Sequence, residues 1–300
     1  MSNIGLFTQE QLTQYALTWL YEKYTPLIAD QIMPPMPPSP VGAQTYQARL
    51  LKRNGLPTPR GVGNIVANSV SLLSMTTSYA FASYQIDLML DQEDLNRAAM
   101  VSQNGIGPSV NLLGELQEGA AVAHQQLRDN LLLYGDSNTG LVGLVPNAAI
   151  PLIAWAVNPL TATAEQNREM LFALVNTVLN NSNTTVVPNV IAMPNRIEQH
   201  LRQQLNTALG TVSVLEYFQM KYPEITIFGT PKMQGAGPGG QDAIVILRRD
   251  TEYVATNTPI PYLASPMNTE GFSMRIATMS RVGDVQYNYA FAAAKMYLTI

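Results

Sequence analysis

One stretch of the sequence has the glycine spacing of a nucleotide-binding loop. Residues 235 to 240 read GAGPGG, so that Gly235, Gly237 and Gly240 satisfy the pattern G-x-G-x-x-G. In nucleotide-binding proteins a helix starts at the third glycine, and its amide groups hold a pyrophosphate. Here Pro238 lies inside the pattern and a strand-like run, QDAIVILRR, follows it. The sequence therefore favours a flexible loop between strands over a nucleotide site.

The titratable side chains give no stronger signal for chemistry. His124 and His200 lie on predicted helices without a second histidine four residues away, which favours packed or solvated histidines over metal ligands. A group of closely spaced carboxylates does not match a calcium loop and is better explained by helix capping from Asp91: Asp87, Asp91, Glu93 and Asp94. No nucleophile elbow or Walker A motif is present in the sequence. These patterns predict a protein that is not an enzyme and uses no cofactor or metal.

Composition limits the class of protein further. Of the 300 residues 46% are apolar and only 13% are charged, compared with roughly 25% charged residues in ordinary soluble domains. So little charge indicates apolar surface that is buried between subunits. The net charge of −4 does not provide the positive field of nonspecific nucleic-acid binders. Cysteine is absent, no basic and apolar signal peptide begins the sequence, and no apolar run reaches the roughly 18 residues of a membrane span.

The N-terminal part predicts an arm. Thr8 and Gln11 form a plausible capping box for an amphipathic helix over residues 9 to 24, which contains Trp19. The stretch PPMPPSP, residues 34 to 40, fixes an extended backbone that cannot join a central sheet. An arm or spacer is therefore expected at this end of the sequence.

Residues 43 to 86 predict a long hairpin. Two strand-like limbs flank a centre that is rich in glycine and proline, LPTPRGVGN. Four basic residues lie near this centre: Arg49, Lys52, Arg53 and Arg60. Such a long and weakly apolar excursion suits a compact monomer poorly, and it is expected to lie on a neighbouring molecule.

The most regular predicted helix lies within residues 107 to 135. Its apolar residues recur at steps of three and four and form one stripe: Leu113, Leu116, Ala120, Ala123, Leu127 and Leu131. About 24 helical residues span roughly 36 Å. The helix is followed by YGDSNTGLVGLVPN, where Gly135 can take the left-handed conformation that ends a helix.

The remainder of the chain mixes helices and strands, so the predicted fold class is α+β. Thr163 and Gln166 predict one helix start, and Asn195 is expected to cap another helix. The strand-like runs EITIF and AIVILRR flank GAGPGG, and the last sixty residues are mostly strand-like.

The order of these elements resembles the major capsid proteins of tailed double-stranded DNA phages, whose Hong Kong 97-type fold encapsulins share. In that family the long helix, called the spine, commonly ends in a Gly-Asp turn followed by a Gly-Leu-rich segment. Gly135 and Asp136, followed by GLVGL at residues 140 to 144, match this pattern. The resemblance covers nearly the whole chain in the order of its parts.

The resemblance implies four parts. Residues 1–41 are expected to form an N-terminal arm and residues 42–86 an extended E-loop. Residues 87–150 and 266–300 are expected to form a peripheral domain with the spine helix over about residues 109–134. Residues 151–265 are expected to form an axial domain.

The resemblance also implies contacts between subunits. The E-loop is expected to lie across an adjacent subunit, where its basic residues meet acidic groups that set the register: Arg49, Lys52, Arg53 and Arg60. A solvated loop tip is the alternative for these residues. Trp19 is a further candidate contact, and Gly235, Gly237 and Gly240 are candidates for a loop at the axis of a hexamer or pentamer.

The implied function is structural. Copies of the chain would assemble as hexamers and pentamers in the host cytoplasm into the shell that encloses the genome of the virion. Implied partners are a separate scaffolding protein or none, a portal, a cement protein and DNA in weak nonspecific contact, with no membrane. The alternatives are an encapsulin-type compartment shell and a nucleotide-dependent α/β enzyme that uses GAGPGG.

Overall fold

The computed structural model describes residues 25–54, 71–93, 96, 112–205, 212–270 and 273–299. These residues divide between two compact units. The first unit draws on Met1–Leu27, Ser83–Gln126 and Pro261–Ser280, and the second on Ile28–Ala82, Leu127–Ile260 and Arg281–Ile300. The predicted helix over residues 9 to 24, with Trp19, lies outside the described residues. In the part of the chain that is described, no helix has the length and apolar character needed to cross a membrane.

The predicted hairpin and spine helix are both confirmed. After the short helix α1 (Ala29–Ile32), strands β1 (Thr45–Asn54) and β2 (Ser71–Asp91) pair antiparallel over ten residues of each. Helix α2 (Leu112–Tyr134) follows, and its last turn buries Leu131, Leu132 and Leu133.

The second unit contains a five-stranded sheet in the order β3, β12, β6, β4, β5. The strands are β3 (Leu152–Ile153), β4 (Val190–Met193), β5 (Thr226–Gly229), β6 (Asp242–Leu247) and β12 (Ala293–Leu298). Every residue of β4 and β6 is buried, as expected for strands covered on both faces. Strand β12 is antiparallel to β6 and parallel to β3, with Met296 opposite both Ile244 and Ile153.

Three helices pack with this sheet into the main core: α3 (Ala164–Asn181), α4 (Asn195–Gln203) and α5 (Val214–Lys221). The predicted capping box of Thr163 and Gln166 begins α3, and a second box of Ser213 and Glu216 begins α5. The expectation that Asn195 caps α4 is wrong. The carbonyl of Pro194 already accepts the first helical hydrogen bonds, so Pro194 is the N-cap and Asn195 is the first helical residue.

A second sheet has the order β1, β2, β10, β8, and β9 pairs with β10. Its later strands are β8 (Ile260–Ala264), β9 (Asn268–Glu270) and β10 (Ser273–Gly283). Strands β7 (Val254–Ala255) and β11 (Gln286–Tyr287) form a separate antiparallel pair.

Strand β12 completes the five-stranded sheet of the second unit. The strand pairs with β6 along its whole length, so residues 293–298 lie in one sheet with residues 242–247. The reason is burial: nearly all of β12 is apolar or buried, and it fills the space between β3 and β6. The proline-rich segment is extended, as predicted, and makes only one bridge, from Pro35 to Thr256.

Candidate functional site

The ribbon formed by β1 and residues 71–80 of β2 is exposed on both faces over part of its length. Residues 74 to 78 are exposed without interruption, and successive side chains of a strand point to opposite faces. An isolated two-stranded ribbon is marginally stable in water. The part of the ribbon around residues 74 to 78, here called the outer ribbon, therefore has no supporting surface among the residues that the structure describes.

The ribbon carries positive charge only. Arg49 is exposed opposite Thr76, and the structure gives it no ion-pair partner among the described residues. Further along β1, the backbone register places Lys52 opposite Leu73 and Arg53 opposite Leu72, whereas Arg60 lies outside the described residues. Because residues 31 to 86 contain no aspartate or glutamate, nothing along this segment neutralises these cations.

A single carboxylate anchors the base of the ribbon. Asp284 Oδ2 accepts the amide of Ala80 at 2.9 Å, and Asp284 Oδ1 accepts the amide of Val142 at 2.7 Å. The amide of Asp284 in turn donates to the Ala80 carbonyl at 3.0 Å. Gly283 is required beside it, since a Cβ there would lie 2.6 Å from the Phe81 ring.

A buried tyrosine reinforces this anchor. The hydroxyl of Tyr79 donates to the Tyr287 carbonyl at 3.1 Å and accepts the Tyr287 amide at 3.2 Å. Burial raises the pKa of Tyr79, so the hydroxyl stays neutral and keeps both bonds. The base of the ribbon is thus fixed while its outer part is exposed.

The glycine-rich loop is held by a buried aspartate. Asp242 Oδ1 accepts the amide of Gly235 at 2.9 Å, and Arg196 donates two hydrogen bonds to the same carboxylate, at 2.8 and 2.6 Å. These bonds to Asp242 raise the pKa of Arg196. Gly235 and Gly240 have left-handed backbones, with φ of +64° and +79°.

The loop does not have the geometry of a nucleotide site. Strand β6 begins two residues after Gly240, so no helix amides face the loop from that side. Gly237 lies against the ring of Tyr297, and a Cβ there would approach the ring to 2.6 Å. The loop is therefore a connection between strands β5 and β6, as the sequence predicts.

The end of the spine helix shows why the following segment is rich in glycine. Gly135 has φ of +73°, and a Cβ on it would lie 2.4 Å from the Leu141 carbonyl oxygen. The chain then returns along the helix, where the Leu144 amide donates to the Leu132 carbonyl at 2.9 Å. The carbonyls that a helix end leaves without partners are satisfied in this way.

Two buried ionic side chains in the second unit are not evident from the sequence patterns. Asp129 Oδ1 accepts the amides of Ile28 and Ala29 at 2.8 and 2.7 Å, and Asp129 Oδ2 pairs with Lys232 Nζ at 2.6 Å. Lys295 Nζ donates to the carbonyls of Val145 and Asn147 at 2.9 and 2.7 Å. Asp129 lies outside the predicted apolar stripe of this helix, so the sequence gives no signal that it is buried.

His124 is a packed histidine, as predicted. Its Nδ1 lies 2.8 Å from Ser280 Oγ and its Nε2 lies 3.1 Å from Thr278 Oγ1. Burial lowers the pKa of His124, which favours the neutral ring. Across the described residues, no group of three His, Cys, Asp or Glu side chains could hold a metal ion.

Comparison with solved structures defines the class of fold. The capsid of Myoviridae phage XM1 superposes with a TM-score of 0.85 at 16% identity, covering 98% of this chain and 99% of that chain. The capsid of an empty GTA particle superposes with a TM-score of 0.65 at 12% identity, covering 96% of this chain and 95% of that chain. The structure from Gordonia phage Cozz superposes with a TM-score of 0.63 at 13% identity, covering 96% of this chain and 91% of that chain. The chain therefore has the Hong Kong 97-type capsid fold.

The sequence comparison identifies the family. Residues 67–296 match the family model described as major capsid protein, whereas no curated protein matches the chain. Because the matched region is most of the chain, this protein belongs to the major capsid protein family. It is a structural protein of a bacteriophage capsid whose copies assemble into a shell.

Proposed function

We propose that this chain forms the shell of a tailed double-stranded DNA phage by assembling as hexamers and pentamers, and that it catalyses no reaction. One observation supports this function above the others: residues 74 to 78 of the ribbon are exposed on both faces. A ribbon of this kind gains stability when it lies on another molecule. Many modest contacts of this type add up in a closed shell through multivalency.

The ribbon is proposed to act as the E-loop and to lie across an adjacent copy. Charge supports this arrangement. Residues 31 to 86 contain four basic and no acidic residues, whereas the first unit's segments 83–126 and 261–280 contain seven acidic and two basic residues. The acidic residues are Asp87, Asp91, Glu93, Asp94, Glu115, Glu118 and Glu270. Arg49, Lys52, Arg53 and Arg60 would meet carboxylates of this region and fix the register between copies.

The glycine-rich loop is proposed to lie at the axis of the hexamer or pentamer. The stretch QGAGPGGQ, residues 234 to 241, has no charged side chain, so several copies can approach one another there without repulsion. Gly235, Gly237 and Gly240 permit the tight backbone of this loop. Trp19, in the proposed N-terminal arm, is a further candidate contact between copies.

The remaining partners follow from the proposed shell. A separate scaffolding protein, a portal and a cement protein would act during assembly in the host cytoplasm. Packaged DNA would contact the inner surface weakly, because small ions neutralise most of its phosphates.

Electron microscopy of the purified chain tests this function. The wild-type chain is expected to form shells, tubes or sheets, and Arg49→Glu is expected to reduce them because it places a carboxylate against the acidic region. Lys221→Glu, an exposed change of the same charge on α5, is the matched control and should assemble normally. A wild-type chain that stays monomeric at high concentration, with and without a scaffold, would contradict the proposal.

A further inference from the structure

Strand β1 lies at the end of its sheet with one edge open. In the order β1, β2, β10, β8, it pairs with β2 only, and no other described strand lies beside it. Proteins usually protect such an edge by shortness, proline or bulges. Strand β8, at the other end, is five residues long and contains Pro261. Strand β1 has ten residues, TYQARLLKRN, without proline or glycine, so only the charges of Arg49, Lys52 and Arg53 protect its edge, and an acidic partner would neutralise them.

The register shows which backbone groups face the open edge. Ala80 donates its amide to Asp284 Oδ2 and accepts the Asp284 amide on its carbonyl, so its backbone groups point away from β1. Backbone groups of successive residues in a strand point to opposite edges. Tyr79 and Thr77 therefore bond across to their partners in β1, Tyr46 and Ala48.

The outward-facing residues of β1 follow directly. Gln47 lies between Tyr46 and Ala48, and Arg49 follows Ala48. Their N–H and C=O groups must point toward the open edge. An additional strand would form backbone hydrogen bonds with these two residues and would lie about 4.8 Å from β1.

A cleft of about 410 Å³ runs beside this strand. Five consecutive residues of β1, from Tyr46 to Leu50, line it together with Thr77 of β2. Glu252, Asn288 and Tyr289, from the turns next to β7 and β11, complete the lining. All of these residues belong to the second unit.

Asn288 and Glu252 close one side of the cleft and are bonded to each other. Asn288 Nδ2 donates to the Glu252 carbonyl at 2.8 Å, which fixes the orientation of the amide. Asn288 Oδ1 is then buried and has no hydrogen-bond partner in the structure. Because this oxygen has no exposed surface, it is not open to a donor in the cleft, and Asn288 acts by holding the Glu252 backbone in place.

We propose that an extended segment of a second copy of this chain occupies the cleft and adds a strand to the free edge of β1. The inference rests on the proposed shell, in which other copies are always adjacent. Charge favours a copy as the occupant, because all 21 acidic residues of the chain lie outside residues 31 to 86. Main-chain bonds at Gln47 and Arg49 supply the affinity, and the Arg49 charge supplies the register.

Residue-resolved hydrogen exchange tests the added strand. Amide exchange is measured for the unassembled chain and for shells assembled from this chain alone. The amides of Gln47 and Arg49 are expected to slow by about 100-fold or more on assembly, while Tyr46 and Ala48 are protected in both states. Unchanged exchange at Gln47 and Arg49 in complete shells would overturn this inference and leave the proposed function standing.

A matched pair of proline variants gives a second test. Gln47→Pro removes an outward N–H, whereas Ala48→Pro removes a bond to β2. Gln47→Pro is expected to leave the melting temperature of the unassembled chain nearly unchanged and to lower the yield of shells about tenfold. Ala48→Pro is expected to lower the melting temperature itself. A Gln47→Pro chain that assembles as well as the wild type would overturn the inference.

The same exchange experiment identifies the source of the strand. Protection that appears only after another virion protein is added would show a different occupant and overturn the assignment to a second copy. A wild-type chain that forms no oligomer under any condition would overturn both the inference and the proposed function.

Discussion

Three aspartates in the second unit connect segments that are far apart in the sequence. Asp129 and Asp284 each accept a backbone amide from a segment more than 100 residues away, and Asp129 also pairs with Lys232. Asp242 accepts the amide of the nearby Gly235 and pairs with Arg196, which is 46 residues away. A buried carboxylate is costly unless its oxygens are hydrogen-bonded, and the buried carboxylates of Asp129 and Asp242 are hydrogen-bonded, as is the partly buried Asp284. Single residues therefore determine how the arm, the glycine-rich loop and the ribbon attach to the body of the second unit.

Gly135 is expected to be far less tolerant than Gly140, although both have left-handed backbones, with φ of +73° and +75°. A Cβ on Gly140 meets nothing within 4 Å, so Gly140→Ala should lower the free energy of unfolding by about 1 kcal/mol, the cost of the left-handed conformation. Gly135→Ala adds a clash with the Leu141 backbone and should cost about 3 kcal/mol. Urea unfolding of the unassembled chain measures the free energy of unfolding of both variants. Equal losses of stability in the two variants would contradict the close approach of residue 135 to the Leu141 backbone.

At the scale of elements, local patterns predict most of what the structure contains. The apolar stripe predicts α2, the Thr163–Gln166 box predicts the start of α3, and two strand-like limbs predict the ribbon. Each of these depends on residues that are close in sequence. Asn195 shows the limit, because the backbone of the preceding proline, rather than the capping preference of asparagine, sets the start of α4.

Long-range pairing could not be predicted in this way. Strand β12 has an apolar pattern that suits any buried position, and only the complete sheet shows that it lies between β3 and β6. Asp129 bonds to residues 100 to 103 positions away, and no local pattern encodes these contacts. The candidate cations of the ribbon were evident from the sequence, whereas the anchor Asp284 required the fold.

The attachment of α1 to α2 through Asp129 gives a prediction at this scale. Asp129→Ala leaves Lys232 in a mostly buried site without its partner and the amides of Ile28 and Ala29 without an acceptor. The free energy of unfolding should fall by about 3 kcal/mol or more. In a double-mutant cycle with Lys232→Met, the double variant should lose less than the sum of the single losses. Additive losses would show that the pair does not interact.

At the scale of the whole molecule, charge is distributed unevenly along the chain. All acidic residues lie outside residues 31 to 86, while four of the 17 basic residues lie within this segment. Opposite charges on two copies accelerate their encounter and select one register over others. The low overall charge of 13% leaves the remaining surface suited to close contact between copies.

Assembly of the shell is therefore expected to depend on ionic strength. Raising the salt concentration from about 0.1 M to about 1 M shortens the Debye length from about 10 Å to about 3 Å and screens the ribbon from the acidic region of its neighbour. The initial rate of assembly, followed by light scattering, should fall by about tenfold or more. The assembly rate of the Arg49→Glu variant should depend less on the salt concentration than that of the wild type. A wild-type assembly rate that is independent of salt would contradict an electrostatic encounter between copies.

The position of β12 in the sheet also affects how the protein is made. Strands β4 and β6 emerge from the ribosome before β12, which is translated about 45 residues after β6 ends. One edge of β6 has no partner until that time, so the nascent sheet cannot close its core. The core of this sheet is therefore expected to close only after residues 293–298 have left the ribosome.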